Sequence, residues 1–398
     1  MQKLKTSRLA IGVGAILAGL ALFPTEVISG VPDGVVPEEG LVVPGVGEPG
    51  GPERELDETE AARFLVGLQL FDHDFHFSDG LGAPEMNADS CRACHQEPAI
   101  GGAGGLELNV SRFGFDDGGK GPFVNVPGGQ GLSKFRPPFV GGREEYDPLT
   151  ADVFEQRQTP SLFGAGLIDG ISDSEIMANE DLTDFDGDGI FGFARRVGVG
   201  PGVTEIGRFG WKAQVPHLRD FILDAMGGEC GITTPDDGRG FALVSDADTI
   251  ADPELSNAEI DDLLFYMSLL AAPRRTNSLD QNVLLGEVLF ETVGCTKCHI
   301  PTLMGESGPV PLYSDLLLHD IAISGYRGMS EPGAPSGVFQ TKPLWGISKT
   351  APYMHDGQYE SLARAIIAHH GEGEAARDAY LALQSIDKRR LILFLEDL

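Results

Sequence analysis

The chain has 398 residues, with 60 acidic against 29 basic side chains and a formal net charge of −31. A surface that acidic repels phosphate backbones and anionic membranes, which excludes nucleic acid and anionic lipid as partners. It would draw in a small basic redox protein, although solubility alone also accounts for it.

Residues 1–30 open with Lys3, Lys5 and Arg8, continue in an apolar run from Leu9 to Phe23, and end on Ser29 and Gly30. This is the order of a secretory signal peptide, and the run falls short of the ~20 residues that a spanning helix needs. Export to the periplasm is expected, with no membrane span in the mature chain; a retained N-terminal anchor is the alternative. Residues 31–54, rich in Pro and Gly without periodicity, read as a flexible linker. The fold is expected to start near Glu55, and the remaining length suits two domains.

Cys91-Arg92-Ala93-Cys94-His95 and Cys295-Thr296-Lys297-Cys298-His299 both read C-x-x-C-H. Two thiols so spaced can bond covalently to a haem while the next imidazole ligates its iron from one face. Zinc or a redox dithiol would also use C-x-x-C, but neither needs a His after each second Cys. Two covalently bound haem c groups are therefore expected, which agrees with export because such groups are attached outside the cytoplasm. Cys230 is left as a free or buried thiol.

An apolar-periodic stretch ending in Gly-x-x-Leu-Phe precedes each motif, Gly67 to Phe71 and Gly286 to Phe290, and predicts an amphipathic helix. Gln158–Gly164 has a counterpart in Gln340–Gly346, and residues 207–228 align without gaps to 351–372. The expected fold class is mainly α: two cytochrome c-like haem domains related by an internal repeat, residues 55–271 and 272–398. Long loops are expected in the first domain, including the Gly-rich stretch 101–145. Leu391, Phe394, Leu395 and Leu398, at i, i+3, i+4 and i+7, predict a closing helix with one apolar face.

An iron with protein ligands on both faces mainly passes electrons, whereas one with an open sixth position can bind peroxide or oxygen. After Ser361, His369 shares a predicted helix side with Leu362, Ala365 and Ile366, from which it can reach the iron held by His299. Its repeat partner is Ala225, which cannot bind iron. The second haem is read as His299/His369, six-coordinate, and the first as His95 with an open site. His370, Met354 and Met304 compete for the second iron, and His73, His76 and His217 for the first. For His369 the alternative is a helix-end histidine interacting with carbonyls.

Cleaving an O–O bond requires a nearby proton shuttle. Glu229 and Asp224 lead as candidates, with Gln214 and His217 earlier in the chain. Trp211, at the repeat position of His355, is either an electron relay between the haems or a core Trp. Asp184, Asp186, Asp188 and Gly189 open like a calcium loop, but position 12 is Arg195 rather than Glu. A smaller calcium site at Asp184, Asp186, Asp188 and Ile190 competes with a plain Asp/Gly turn.

Several strings resemble the bacterial di-haem cytochrome c peroxidase superfamily, which includes the di-haem enzyme of methylamine utilisation. The nearest match is its di-haem oxidoreductase branch labelled thiol oxidoreductase-like. The strings are SCRACH (90–95) with PAIGG (98–102), RQTPSLFGAGLID (157–169), DGDGI (186–190), GRFGWKAQ (207–214), YSDLLLHD (313–320), and PLWGISKTAPYMHDG (343–357) with AIIAHHGE (365–372). The resemblance implies two cytochrome c-like domains, an electron-accepting haem in the second, a peroxidatic haem in the first, and calcium between them. In the peroxidases a Met stands where this chain has His369, and a catalytic Glu stands at the position of Ala225, before a Met-Gly matched by Met226-Gly227. His in place of Met lowers the expected potential.

The leading functional reading is a periplasmic di-haem oxidoreductase that takes electrons from a small redox protein at the second haem and passes them to peroxide or another small oxidant at the first. The alternatives are an electron carrier with both irons six-coordinate, and an enzyme oxidising side chains of a partner protein.

Overall fold

The computed structural model describes residues 42–82, 86–114, 151–236, 238 and 242–398. The expected signal peptide, residues 31–41 of the expected linker and residues 115–145 of the Gly-rich stretch lie outside them. No helix among the described residues is long and apolar enough to cross a membrane.

Helix outweighs strand, 34% to 15%, in keeping with a mainly α class. In chain order the α-helices are α1 (Glu58–Asp72), α2 (Ala165–Asp169), α3 (Asp173–Met177), α4 (Leu218–Ala225) and α5 (Asn257–Leu269). They continue with α6 (Gln281–Thr292), α7 (Leu362–Ile367), α8 (Glu374–Ala382) and α9 (Ser385–Asp397). The long helices begin at strong caps. Asp57 Oδ1 accepts from Glu60 N at 2.9 Å while Glu60 Oε2 accepts from Asp57 N, and Ser256 with Glu259 repeats the box at α5. At α6, Asp280 Oδ1 accepts from Asn282 N at 2.8 Å.

The Gly-x-x-Leu-Phe signature has a packing cause. A Cβ on Gly67 would stand 2.2 Å from the Asp262 carbonyl oxygen, and one on Gly286 would stand 2.1 Å from that of Arg390. Only glycine therefore lets α1 cross α5, and α6 cross α9, so closely. Four residues on, Phe71 packs tilted at 5.4 Å from Tyr266, and Phe290 at 5.2 Å from Phe394. The predicted apolar face of the last helix is real: Leu391, Phe394, Leu395 and Leu398 are buried in one cluster with Val283, Phe290 and Tyr313.

The paired segments adopt matched backbone geometry. Gly164 N donates to Leu270 O at 3.0 Å, and Gly346 N to Leu398 O at 2.9 Å. Phe209 bridges Val215 as Tyr353 bridges Tyr359. Positive φ recurs at Gly210 and Ala213 (82° and 50°) and at Met354 and Gly357 (70° and 69°). The Gln-containing segments then exchange partners: Gln158 N donates to His355 O at 2.7 Å, and Gln340 N to Trp211 O at 3.0 Å.

Four antiparallel two-stranded hairpins complete the described fold: β1 (Val110–Gly114) with β2 (Val153–Arg157), β3 (Arg196–Gly200) with β4 (Val203–Ile206), β5 (Leu303–Gly305) with β6 (Gly308–Val310), and β7 (Leu318–Asp320) with β8 (Val338–Gln340). β1 lies inside the stretch expected to be loop, because residues 153–157, distant in sequence, supply its hydrogen-bonding partner. The linker expectation also needs correction. Gly50, Gly51 and Pro52 are buried, Glu53 N donates to Leu269 O at 2.8 Å, and Ala271 N donates to Gly51 O at 2.9 Å. Ordered structure thus begins before Glu55, held by the end of α5, a partner that local composition does not reveal.

Candidate functional site

Both C-x-x-C-H motifs form a tight turn; the second follows α6 directly, whereas the first lies farther along the chain and is tied back to the end of α1 by Arg92 N donating to Phe71 O at 3.1 Å. His95 N donates to Cys91 O at 3.0 Å and His299 N to Cys295 O at 2.9 Å. Each imidazole is then oriented by a backbone carbonyl: His95 Nδ1 donates to Gly102 O at 3.1 Å, and His299 Nδ1 to Tyr313 O at 2.9 Å. A proton held on Nδ1 leaves the Nε2 lone pair for a metal. Burial pushes both imidazoles down to about 4, so each is a neutral donor. Phe71 and Phe290 flank them at 6.3 and 6.2 Å.

All five cysteines are free. Burial raises Cys91 and Cys295 to about 12, which keeps them as thiols. Among the described residues the two Cys pairs do not converge into one cluster, which is what a shared zinc would require.

A cavity of about 380 Å³ contains the second motif. Cys295, Cys298 and His299 line it together with His369 and the apolar side chains of Phe290, Leu344, Leu362 and Leu391. His369 Nδ1 donates to Ala365 O at 2.8 Å, the same carbonyl device that orients His299. Half-buried thiols, apolar walls and two imidazoles held through Nδ1 fit a haem. One detail of the sequence reading changes: α7 ends at Ile367, so His369 lies past the helix, although Leu362, Ala365 and Ile366 line the same cavity. Gly371 follows at φ 51°, where a Cβ would stand 2.3 Å from the Asp320 carbonyl oxygen. Of the rivals, His370 Nδ1 accepts from Arg377, Met304 is exposed, and Met354 lines the cavity.

Around the first motif the candidate residues disperse. Glu229 Oε2 accepts from Asn87 Nδ2 at 2.7 Å, next to the segment entering Cys91. Cys230 is buried beside it, its thiol pushed well up by burial and by the neighbouring Cys91 and Glu229. Asp224 is buried with Oδ1 beside Gly238. Gln214 Oε1 accepts from Lys212 N, and His217 pairs with Glu205 at 2.9 Å on the surface. His73 lies edge-on to Phe75 and 3.8 Å from Asp79, while His76 is exposed.

Trp211 lines the same cavity, its Nε1 donating to Gln158 O at 2.7 Å. Lys342 Nζ sits 5.2 Å over its ring and donates to Gly210 O and Gln340 Oε1. Sequence reasoning missed a buried ionic network nearby. Glu331 meets Arg112 at 3.0 Å and Arg195 at 2.7 Å, Arg157 pairs with Glu155, and Tyr326 links Glu155 to His355 at 3.0 and 2.8 Å. Its members come from segments far apart in sequence, and no spacing signals their meeting.

At the expected calcium loop, Asp184 and Asp186 converge with Asp181, which the reading had not included. Asp188 turns away instead. Its Oδ2 lies 2.8 Å from Lys297 Nζ in the second motif, and its Oδ1 accepts from Ile190 N. The competing cation explains that departure.

Residues 149–398 match the family model described as "Di-haem oxidoreductase, putative peroxidase", and the chain belongs to that family. The match includes the second C-x-x-C-H and leaves the first outside it. A curated relative, cytochrome-c peroxidase IdrP2 of Pseudomonas sp. (strain SCT), is 26% identical over 170 residues, which are 36% of this chain and 44% of the relative. The chain thus spans less than half the length of that protein. Among solved structures, Kuenenia stuttgartiensis hydrazine synthase pressurised with xenon is similar at 16% identity and TM-score 0.38, covering 90% of this chain and 98% of that one. A MauG-like protein associated with microbial copper homeostasis is similar at 17% identity and TM-score 0.42, covering 89% and 92%.

Proposed function

We propose that this protein is an exported, periplasmic oxidoreductase built from two related haem domains, each holding one haem c through its C-x-x-C-H. Bound haem would supply a redox-active iron at each site. In this reading Cys91 and Cys94, and Cys295 and Cys298, form the thioether links, and His95 and His299 ligate from the near face. His369 closes the far face of the second site. A small redox protein delivers electrons to that half, and peroxide or another small oxidant is reduced at the His95 half. Trp211 would relay electrons between them, and Glu229, bonded to Asn87 near the entry to the first motif, is the candidate acid.

The observation that carries this reading is the asymmetry of imidazoles. His299 and His369, each tethered through Nδ1 to a carbonyl, line one apolar cavity, whereas the position equivalent to His369 in the first half is Ala225. Electron paramagnetic resonance of the purified protein tests it, with one low-spin and one high-spin ferric signal expected. Turnover of hydrogen peroxide with a reduced cytochrome or copper protein then tests the reaction.

A second reading, an electron carrier with both irons six-coordinate, is favoured by the absence of an acid at Ala225 and by Asp224 lying against Gly238. Two low-spin signals and no peroxide turnover would select it.

A further inference from the structure

Beside the second site lies an ionic triad of His319 with Asp315 and Glu372. His319, on β7 and 2% exposed, places Nε2 2.9 Å from Asp315 Oδ2 and Nδ1 2.8 Å from Glu372 Oε2. A neutral imidazole donates from one nitrogen only, so a ring with a carboxylate at each nitrogen must carry both protons. Burial opposes that charge, but the bonds to Asp315 and Glu372 outweigh it and push His319 up to about 12.

The carboxylates act only as acceptors. Asp315 Oδ1 accepts from Leu317 N at 2.9 Å. Glu372 Oε1 accepts from Asp320 N at 2.9 Å, and its Oε2 also accepts from Phe191 N at 2.8 Å. Carboxyl oxygens filled by N–H donors are ionised. Two carboxylates against one imidazolium leave one net negative charge.

That charge stands at the second motif. His319 Nδ1 is 3.8 Å from Cys298 Sγ, and Asp315 N donates to Cys298 O at 3.0 Å. His319 and Glu372 line the same cavity as His299 and His369. The fit is close: a Cβ on Gly192 would stand 2.5 Å from the His319 ring. Ferric haem carries one more positive charge than ferrous haem, so a fixed negative charge at its edge favours the oxidised form, and low local dielectric strengthens the effect.

We propose that the Asp315–His319–Glu372 triad holds a permanent negative charge beside the Cys295–His299 site and would keep the reduction potential of a haem bound there low. The three are positioning and tuning residues for that haem, and the proposal rests on Cys295–His299 being a haem site. The test is a spectroelectrochemical titration of the haem-loaded mature protein and of its Glu372→Gln and Asp315→Asn variants, with haem counted by pyridine haemochrome and ligation followed by paramagnetic resonance. Both variants are expected to shift the midpoint of the second haem upward while retaining two haem equivalents and the low-spin signal. Glu372→Asp, which keeps the charge, is expected to leave the midpoint near that of the parent. An unmoved or lowered midpoint in both neutral variants overturns the proposal, as does a shift seen only where the low-spin signal is lost. A parent protein with fewer than two haems overturns the haem reading itself, an outcome distinct from any shift in midpoint.

Discussion

The regions around Cys91–His95 and Cys295–His299 share their scaffolding and differ in what faces the imidazole. Each is delivered by a helix crossed at a glycine, each has its Nδ1 held by a carbonyl, and each is flanked by the Phe that ends Gly-x-x-Leu-Phe. In the cavity lined by His299 the chain past α7 also supplies His369; at the aligned place in the first half α4 runs on through Ala225 into a wide turn at Met226–Cys230. The lesson is that backbone close approach constrains the near side of such a site, while the far side is free to change by one residue and one helix end.

The largest test of this comparison removes an attachment. Replacing both Cys295 and Cys298 with Ser is expected to halve the haem content by pyridine haemochrome, as is the same change at Cys91 and Cys94; unequal losses would break the equivalence of the two motifs. Next, His369→Ala should convert the second iron from low to high spin and leave the first unchanged, and two unaltered ferric signals would remove His369 from the site. On the scaffold, Gly67→Ala and Gly286→Ala should each destabilise the fold by about 1–3 kcal/mol or more, since each methyl meets a backbone carbonyl that cannot yield. Thermal denaturation of the two variants compares the crossings directly.

A smaller effect follows from pH. Burial pushes Glu331 up, but Arg112, Arg157 and Arg195 outweigh it and hold its carboxyl at about 2, against an ordinary value of 4.5. With a folded value below the unfolded one, its contribution is fully present above about 4.5 and is lost as pH falls toward about 2. Denaturation measured across that window should show the loss in the parent and a flatter profile in Glu331→Gln. Smallest of all is the response to calcium. If Asp181, Asp184 and Asp186 hold it, calcium should raise the melting temperature slightly, a chelator should reverse the rise, and Asp184→Asn should abolish it.

Much of the scaffold was legible because its signals are local. Gly67 and Gly286, the Phe residues that follow, and the i, i+3, i+4 spacing of the last helix each lie within a turn or two of the element they define. The linker was misread for the complementary reason: residues 50–53 are ordered by α5, whose end lies more than two hundred residues away. Asp188 was grouped with Asp184 and Asp186, whereas its side chain pairs with Lys297 from a distant segment, and His369 was put on a helix that ends at Ile367.

By itself the amino-acid order determined the two C-x-x-C-H motifs, the helices that precede them, and the His369/Ala225 difference, since each depends on covalent spacing or short-range periodicity. Tertiary structure alone decided which imidazoles share a cavity, which carboxylates bracket His319, and how Glu331 meets three arginines. Those outcomes depend on burial and on charges brought together from distant segments, where desolvation makes each pairing strong and no linear pattern announces it.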